Sequence, residues 1–126
     1  MYDMTNDVRN AMLEGLQDVI MTGTTIEFRD GTTAAAEVAT CTLTGTVTFT
    51  GPVAGVLTVA DIDQEDNATG GTVDHAVFRL PDSTGTEIFS ATCASGSGEF
   101  DFNSLVIAAA DAVEITSLTI TMPAGT

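Results

Sequence analysis

Positively charged residues are almost missing from this chain of 126 residues, which has three arginines, no lysine, 18 acidic residues and a net charge of −15. Nucleic-acid phosphates are bound through clustered Lys and Arg, so the sequence predicts no nucleic-acid partner. An anionic membrane surface is disfavoured for the same reason. No apolar run approaches the roughly 18 residues of a membrane span, and the start MYDMTNDVRN lacks the basic and apolar regions of a signal peptide.

Bulky aromatic residues and cysteines are also scarce. There is no Trp, one Tyr and six Phe, which is a poor supply for stacking against sugar rings. Cys41 and Cys93 both fall on the apolar phase of their predicted strands, so we expect them to face the core. We interpret them as two reduced thiols, with a disulfide between them as the alternative. A metal site is disfavoured because there is no second cysteine pair and His75 is the single histidine.

The excess of acidic residues has two explanations. An acidic surface keeps a protein soluble and discourages self-association. Alternatively, the protein works in high salt, where the Debye length falls from about 10 Å at 0.1 M to about 3 Å at 1 M and charge repulsion is screened. Because lysine is missing while Asp and Glu are abundant, the composition favours a halophilic or marine source.

One N-terminal amphipathic helix is predicted at about residues 5–21. Thr5 is suited to the N-cap, Asp7 to the first turn and Gly23 to the stop. Gly15 inside the helix costs about 1 kcal/mol relative to Ala, which indicates close approach of another backbone. We expect the helix to cover one end or face of the core, with a detachable arm laid on a partner protein as the alternative. Its apolar residues recur at three- and four-residue spacing: Val8, Met12, Leu13, Leu16, Val19 and Ile20.

The later segments, at about residues 24–122, are typical of strands and turns. In TCTLTGTVTFT, residues 40–50, threonine occupies every even position, so the odd residues are predicted to face the core and the threonines to face solvent or a neighbouring protein. Gly45 either bends one long strand or marks a corner between two. Near the end, the apolar phase slips between Ile115 and Leu118, which predicts a bulge at residues 116–117.

The number and spacing of these strands favour a mainly β fold. About seven or eight short strands, separated by turn signals, indicate an antiparallel β-sandwich, either jelly-roll-like or immunoglobulin-like, with the N-terminal helix added to it. The length predicts one domain that covers residues 1–126.

One acidic segment offers potential metal ligands, at Asp61, Asp63, Glu65 and Asp66. Alternating carboxylates are the kind of ligand that binds Ca²⁺. In an EF-hand frame begun at Asp61, however, the sixth residue is Asp66 instead of Gly and the twelfth is Thr72 instead of Glu. We therefore expect a solvated loop, with a weak Ca²⁺ site as the alternative and no other cofactor.

The sequence contains no recognisable catalytic constellation. His75 lies in a predicted strand with no nucleophile at a recognisable spacing, and Ser90, Ser95 and Ser97 lack the G-x-S-x-G elbow. The sequence therefore predicts a protein that is not an enzyme.

The arginines are candidates for contacts to a partner because they are rare cations on an anionic protein. Each is expected to pair with a local carboxylate, as Arg29 would with Asp30. The functional alternative is that an arginine anchors docking through a bidentate bond to a carboxylate of the partner. Together with the N-terminal segment MYDM, this gives four candidate docking residues: Tyr2, Met4, Arg9 and Arg79.

The order of segments resembles a known family. The quoted stretches are GTTIEFRDGT, FTGPVAGVLTVADI, ATGGTVDHAVFRLPDSTGTEIFSATC and the ending VIAAADAVEITSLTITMP. They resemble small β-rich virion proteins of tailed bacteriophages, related prophages and archaeal tailed viruses, in particular head decoration (cement) proteins. The resemblance covers residues 5–123 and is densest from residue 68 onward. These are scaffold motifs, and no catalytic residue comes with them.

The resemblance implies a structural role on the outer surface of a capsid. The expected partners are the major capsid protein, whose subunits this protein would bridge, and neighbouring copies of itself, with which it would form a homo-oligomer on the shell. Assembly would take place in the host cytoplasm. Two alternatives stay open: a tail or head–tail connector protein built from the same sandwich, and a receptor- or glycan-binding module.

Overall fold

The helix α1 spans Asn6–Val19 in a computed structural model that describes residues 4–20, 23–31, 36–44, 47–95, 100–116 and 118–122. Thr5 is its N-cap, and the Val8 N–H donates to the Thr5 Oγ1 at 3.4 Å. The predicted helix is therefore confirmed, with its last residue two positions before the predicted end. Leu13 and Ile20 are fully buried, and each such side chain stabilises the fold by about 1.5–3 kcal/mol.

Ten strands follow α1 within the described ranges. The observed fold is mainly β with one helix in this part of the chain, as the sequence predicts. The strands are β1 Thr25–Arg29, β2 Glu37–Thr42, β3 Thr48–Val53, β4 Val56–Ala60, β5 Gly71–Thr72, β6 His75–Arg79, β7 Glu87–Ala94, β8 Phe100–Asp101, β9 Val106–Ile107 and β10 Leu118–Thr121.

These strands form two larger sheets and one small one. The five-stranded sheet has the order β2-β1-β6-β7-β8, the three-stranded sheet has the order β10-β4-β3, and β5 pairs with β9. Most pairs are antiparallel, as predicted. The exception is β7 with β8, which run parallel and place Cys93 beside Phe100. The predicted antiparallel pairing does not extend to this pair, because β8 is a two-residue strand that follows the end of β7 in the same direction.

The helix and both larger sheets contribute to one hydrophobic cluster. Phe28 meets Phe100 and Phe102 edge-on, with ring centres 5.3 and 5.2 Å apart. Phe78 stacks on Phe89 at 4.2 Å. The fully buried aliphatic side chains of the cluster come from α1 and its C-cap, both sheets and the segment after β2: Leu13, Ile20, Ile26, Val38, Leu43, Leu57 and Val59.

The threonine-rich stretch of residues 40–50 belongs to two strands in different sheets. The strand β2 lies at one edge of the five-stranded sheet, and β3 lies at one edge of the three-stranded sheet. A corner therefore separates the two halves of the stretch, although Gly45 itself lies outside the described residues. Thr48 and Thr50 are exposed as predicted. The odd residues of the first half, Cys41 and Leu43, are fully buried, as is Ala39 just before the stretch.

The last predicted strand is divided in the structure. Val113 forms an isolated antiparallel bridge with Glu65, and β10 begins only at Leu118. Val113 and Leu118 are both buried, so an odd and an even residue both reach the core, as the phase slip in the sequence requires. Ser117, where the bulge is predicted, lies outside the described residues.

Candidate docking surfaces

The outer face of the three-stranded sheet consists largely of threonine. Thr50 lies opposite Thr58, and Thr58 lies opposite Thr119, so one row of threonines crosses all three strands. Directly opposite residues share a face, as do residues two apart along a strand. The neighbouring rows therefore add five residues to the same surface, among them Val53 opposite Val56. We call this set the threonine face: Thr48, Thr50, Val53, Val56, Thr58, Ala60, Thr119 and Thr121.

The inner face of the same sheet explains why the threonines point outward. Leu57, Val59 and Leu118 are buried there, and Phe49 and Ile120 are half-buried. A shift of one residue would bury the threonines and expose this apolar set, so the apolar set fixes the register. The outward position of the threonines therefore follows directly from burial of their neighbours.

The threonine face has no charged member. Threonine favours a strand, and removing its hydroxyl from water costs far less than removing a carboxylate. At the border of the face, Thr48 Oγ1 donates to Asp61 Oδ2 at 2.7 Å. With strands about 4.8 Å apart and residues about 3.4 Å apart along each strand, the face measures roughly 10 by 14 Å. Its area is that of the central part of a protein–protein interface, and because it carries no charge, a neighbouring protein can cover it at a small cost in desolvation.

The outer face of the five-stranded sheet is organised around charge. Glu27 on β1 accepts a hydrogen bond from Arg29 Nη2 at 2.9 Å and one from Arg79 Nε on β6 at 2.5 Å. Arg79 Nη1 also donates to the Gly85 carbonyl at 3.0 Å. The Glu27 side chain is only 16% exposed, so salt screens these ion pairs less than it screens exposed pairs. We call Arg29, Glu27 and Arg79 the arginine bridge.

The arginine bridge controls the ionisation of Glu27. Burial raises the pKa of this carboxyl, but hydrogen bonds and charge from Arg79 and Arg29 outweigh the burial and hold the pKa below its usual 4.5. Glu27 therefore stays ionised at neutral and weakly acidic pH. The charges of β1 and β6 largely satisfy one another within the sheet.

Arg9 fastens α1 to the three-stranded sheet. Its Nε donates to the Met122 carbonyl at 2.7 Å, and its Nη1 donates to Asn6 Oδ1 at 2.9 Å. The Gly55 N–H donates to Asn10 Oδ1 at 2.9 Å, and the Gly55 carbonyl accepts from the Met122 N–H at 2.8 Å. Gly55 has a φ of +77°, and a Cβ added there would collide with the Arg9 guanidinium. These hydrogen bonds therefore connect α1 to the β3–β4 turn and to Met122, the residue after β10.

The four candidate docking residues differ in their surroundings. Arg9 and Arg79 bond to other parts of this chain, Met4 is half-buried, and Tyr2 lies outside the described residues. With Arg29 also paired to Glu27, each of the three arginines has partners within the chain. The surface charge is therefore dominated by carboxylates, and the threonine face is better defined as a candidate docking surface than the individual arginines are.

The acidic segment with potential Ca²⁺ ligands lies along the outer edge of β2. Thr42 and Asp63 form an antiparallel bridge, and the Thr40 N–H donates to Glu65 Oε2 at 3.3 Å. An uncovered edge strand invites pairing with another chain, and charged residues along it oppose such pairing. The segment therefore covers one edge of the five-stranded sheet.

The carboxylates of this segment have different partners. Asp61 accepts from Thr48, Asp66 Oδ1 accepts from Gln64 Nε2 at 2.5 Å, and Glu65 Oε1 accepts from a backbone N–H at 3.0 Å. Within the described ranges of the chain, no group of three or more His, Cys, Asp or Glu side chains is placed to hold a metal ion. Ca²⁺ binding by this segment stays a prediction, which calorimetric titration of the chelated protein tests.

The two cysteines are separate free thiols. Cys41 is fully buried, and burial raises the pKa of its thiol to about 11, so it is unreactive at neutral pH. Cys93 is half-buried and packs against the core from β7. The strands β2 and β7 are three strand spacings apart, or about 14 Å, whereas the Cα atoms of a disulfide lie within about 7 Å. The inward orientation is confirmed, and the alternative of a disulfide between them is excluded.

Two other ionisable groups have local roles. His75 Nδ1 lies 3.0 Å from Asp74 Oδ2. In the turn before β7, Asp82 accepts hydrogen bonds from the side chain and backbone of Thr86 and from Thr84. The bonds from Thr86 are the main cause that lowers the pKa of Asp82 to about 2. Asp82 therefore shapes this turn as an ionised acceptor.

Two open grooves lie where β10 approaches residues of the five-stranded sheet. The larger groove, about 650 Å³, is lined by residues 100–104 and 111–116 together with Phe28. The smaller one, about 410 Å³, is lined by β10 and by Phe78, Phe89 and Phe100. The larger groove combines carboxylates with phenylalanine rings, which is a combination found in sites for small polar ligands.

The sequence predicts only part of the threonine face. The alternation in residues 40–50 predicts that Thr48 and Thr50 face outward, and the same alternation is present around Thr58 in VLTVA and around Thr119 and Thr121 in LTIT. The sequence does not predict the arginine bridge. The spacing of Glu27 and Arg29 puts both on one face of β1, but the contribution of Arg79 depends on strand pairing that the sequence does not show.

Comparison of the chain with family models, with curated proteins and with solved structures finds no match. In the part of the chain that the structure describes, no helix is long and apolar enough to cross a membrane.

Proposed function

We propose that this protein is a non-enzymatic structural virion protein: a decoration (cement) protein that binds the outer surface of a tailed-virus head and bridges major capsid subunits. The observation that carries the proposal is the threonine face, an uncharged sheet surface on a protein with a net charge of −15. A neighbouring protein can cover this surface without removing a charge from water. A protein whose task is to be packed against others needs such a surface.

The distribution of charge supports a position outside the head. The three arginines bond within the chain, so carboxylates dominate the exterior. The interior of a filled head holds DNA, whose phosphates repel an acidic protein. The outer surface of the shell imposes no such repulsion, and an acidic exterior keeps the loaded particle soluble.

The size of the threonine face fits a protein that is present in many copies. At roughly 10 by 14 Å it is smaller than the ~800 Å² that each partner contributes to a standard interface. Surrounding residues complete the contact in this proposal, and neighbouring copies bound to the same shell add avidity. The homo-oligomer in the proposal is therefore an array on the capsid.

We also propose that the two larger sheets form an antiparallel β-sandwich, jelly-roll-like or immunoglobulin-like, within a single domain. The support is that buried side chains from both sheets belong to the same hydrophobic cluster. The alternation of buried and half-buried residues in β1 and β4 is that of strands with one face on a core.

The copy number in purified virus particles tests the proposal. A cement protein is expected in hundreds of copies spread over the shell, measured by quantitative mass spectrometry against the major capsid protein. Six or twelve copies at one vertex would replace the proposal by its first alternative, a tail or head–tail connector protein. Absence from the particle would overturn both.

The larger groove favours a second candidate function, a receptor- or glycan-binding module. It brings Asp101, Asp111 and Glu114 near Phe102 in an open groove of about 650 Å³. Carboxylates that bond sugar hydroxyls beside an aromatic ring are typical of glycan sites. Titration with a panel of oligosaccharides tests this function, with the NMR chemical shifts of Phe102 and its neighbours as the readout. Chemical shift changes that saturate with oligosaccharide concentration support the function. No chemical shift change at millimolar oligosaccharide argues against it.

A further inference from the structure

The smaller groove, of about 410 Å³, runs along the edges of two strands. Its lining includes residues 89–91 of β7 and residues 118–121 of β10. Successive side chains of a strand point to opposite faces of the sheet. A groove that touches three or four consecutive residues of a strand therefore follows the edge of that strand, where the backbone N–H and C=O groups lie.

These two edges have no neighbouring strand in the part of the chain that the structure describes. The strand β10 pairs only with β4, on its other edge. The strand β7 pairs with β6 up to Thr92, and on its other edge it pairs with β8 only at Cys93 and Ala94. The stretch 89–91 is therefore left without a strand beside it on that edge. We call the groove between this stretch and β10 the strand slot.

The backbone groups of β10 that face the strand slot follow from its pairing with β4. The Met122 N–H donates to the Gly55 carbonyl, on the β4 side, at 2.8 Å. In an antiparallel pair, residues alternate between bonding the partner strand and pointing away from it. Ile120 therefore bonds β4, whereas the N–H and C=O groups of Thr119 and Thr121 point away from β4, towards the slot. An extended polypeptide offers donors and acceptors at the matching spacing.

The floor of the strand slot is apolar. Phe78, Phe100 and Leu118 are buried there, and Phe89 and Ile120 are half-buried. None of the described residues that line the slot is charged. Charged residues commonly protect an edge strand against pairing with another chain, and at β2 the acidic segment covers the opposite edge of the five-stranded sheet. The strand slot has no such protection.

We propose that the strand slot takes an extended segment of a different protein, one with apolar side chains at alternate positions. The segment pairs through its backbone with β10 and with β7, and its apolar side chains pack on the phenylalanine rings. One strand between two edges needs two strand spacings, or about 10 Å, which is also the usual separation of two packed sheets.

A second copy of this chain is a poor source for the segment. Each strand in the described ranges already pairs within its own sheet, so a second copy would have to give up such pairing. It would also bring a net charge of −15 against the same charge. The segment is therefore assigned to a different protein, and this inference does not depend on a virion role.

The test uses a capped synthetic peptide of about seven residues, with Val at alternate positions, Thr between them and Lys at each end. It is titrated into the full chain at 0.15 M NaCl and followed by NMR. We expect chemical shift changes along β10 that saturate. Amide hydrogen exchange of Thr119 and Thr121 should slow at least tenfold, because their N–H groups gain partners. Exchange of Ile120, which already bonds β4, should change little.

Two N-methylated peptides are the matched controls, because they keep the sequence and the charge of the first peptide. Methylation of the odd amides removes the donors to one neighbouring strand, and methylation of the even amides removes the donors to the other. Each is expected to bind at least tenfold more weakly. Weaker binding by only one of them would mean pairing with a single edge, and equal binding by all three peptides would mean that only side chains are recognised. Either result would overturn the proposal.

Ala91→Phe fills the strand slot from its floor. Ala91 is half-buried and lines the slot together with Phe89 and Phe100, so a phenylalanine ring there occupies space that the segment needs. Binding should weaken at least tenfold, whereas Ala11→Phe at an exposed position of α1 should leave it unchanged. Circular dichroism checks that both variants fold, and the N-methylated peptides test the proposal without any variant.

Three further results would overturn the proposal. Unchanged binding by folded Ala91→Phe would place the peptide elsewhere on the protein. Exchange of Thr119 and Thr121 as slow as that of Ile120 in the free protein would mean that the chain fills its own slot. A dimer in sedimentation that Ala91→Phe dissociates would assign the slot to a second copy.

Discussion

The outer faces of the two larger sheets differ in charge. On the five-stranded sheet, Glu27 lies between Arg29 and Arg79, and the three charges satisfy one another. On the three-stranded sheet, the central row is Thr50, Thr58 and Thr119, and no charge is present in the surrounding threonine face. Both faces arise from the same alternation, since each is opposite a buried apolar set.

Because the two faces differ in charge, one is expected to contribute to stability and the other to docking. Covering the arginine bridge would strip the remaining water from three charged groups, which costs several kcal/mol per ion in a buried setting. Covering the threonine face removes water only from hydroxyl groups, whose hydrogen bonds a partner can replace. The five-stranded sheet is therefore expected to stabilise the fold through its outer face. The three-stranded sheet is expected to use its outer face for contact.

The largest expected effect is on stability, from Glu27→Gln. The substitution removes the charged carboxylate that both partly buried guanidinium groups bond, and we expect a loss of about 2 kcal/mol in the free energy of unfolding. Urea unfolding followed by circular dichroism measures it, with Glu114→Gln at an exposed position as the matched control. A loss no larger than that of the control would mean that the arginine bridge does not stabilise the sheet.

The next effect is on docking, from a single charge on the threonine face. Thr50→Arg is expected to weaken binding to heads of the parent virus at least tenfold, or about 1.4 kcal/mol. The free energy of unfolding should change by no more than about 0.5 kcal/mol. Ser90→Arg on the five-stranded sheet is the control, because both positions are exposed and both variants have the same net charge. Equal binding by the two variants would contradict the assignment of docking to the threonine face.

A smaller effect is expected from acid. The pKa of Glu27 is lowered from 4.5 and that of Asp82 is lowered from 3.8 to about 2. Groups with a folded pKa below the unfolded value stabilise the protein above the unfolded pKa, and the stability is lost as pH falls through the folded pKa. Stability should therefore fall from about pH 4.5 towards pH 2. Glu27→Gln should have a shallower fall than wild type in urea unfolding at a series of pH values, and identical slopes would contradict this.

Salt is expected to have the smallest effect. Raising NaCl from 0.1 to 1 M should raise the melting temperature by a few degrees, because self-repulsion of a net charge of −15 is screened more than the partly buried arginine bridge is. Differential scanning calorimetry measures this. A higher melting temperature in salt supports the halophilic or marine source, and a melting temperature equal in dilute and molar salt would contradict it.

The elements with strong local patterns could be predicted from the sequence. The helix follows from the apolar spacing around Leu13 and from Thr5 as its N-cap, and the buried phase of β2 follows from the alternation through Cys41. These features depend on neighbours in sequence, so period and propensity are enough to find them.

The features that depend on pairing between distant strands could not be predicted. The arginine bridge needs Arg79 beside Glu27, which is 52 residues earlier in the chain. The continuous row of threonines needs the register of β4 with both β3 and β10. Likewise, the short parallel pairing of β8 has no local sequence signal, because a two-residue strand has no period.

The most direct test of the central claim is imaging of the intact particle at side-chain resolution. Thr50, Thr58 and Thr119 are expected to lie in contact with a neighbouring capsid protein while the arginine bridge faces solvent. A particle in which the threonine face points to solvent and the five-stranded sheet lies against the shell would contradict it.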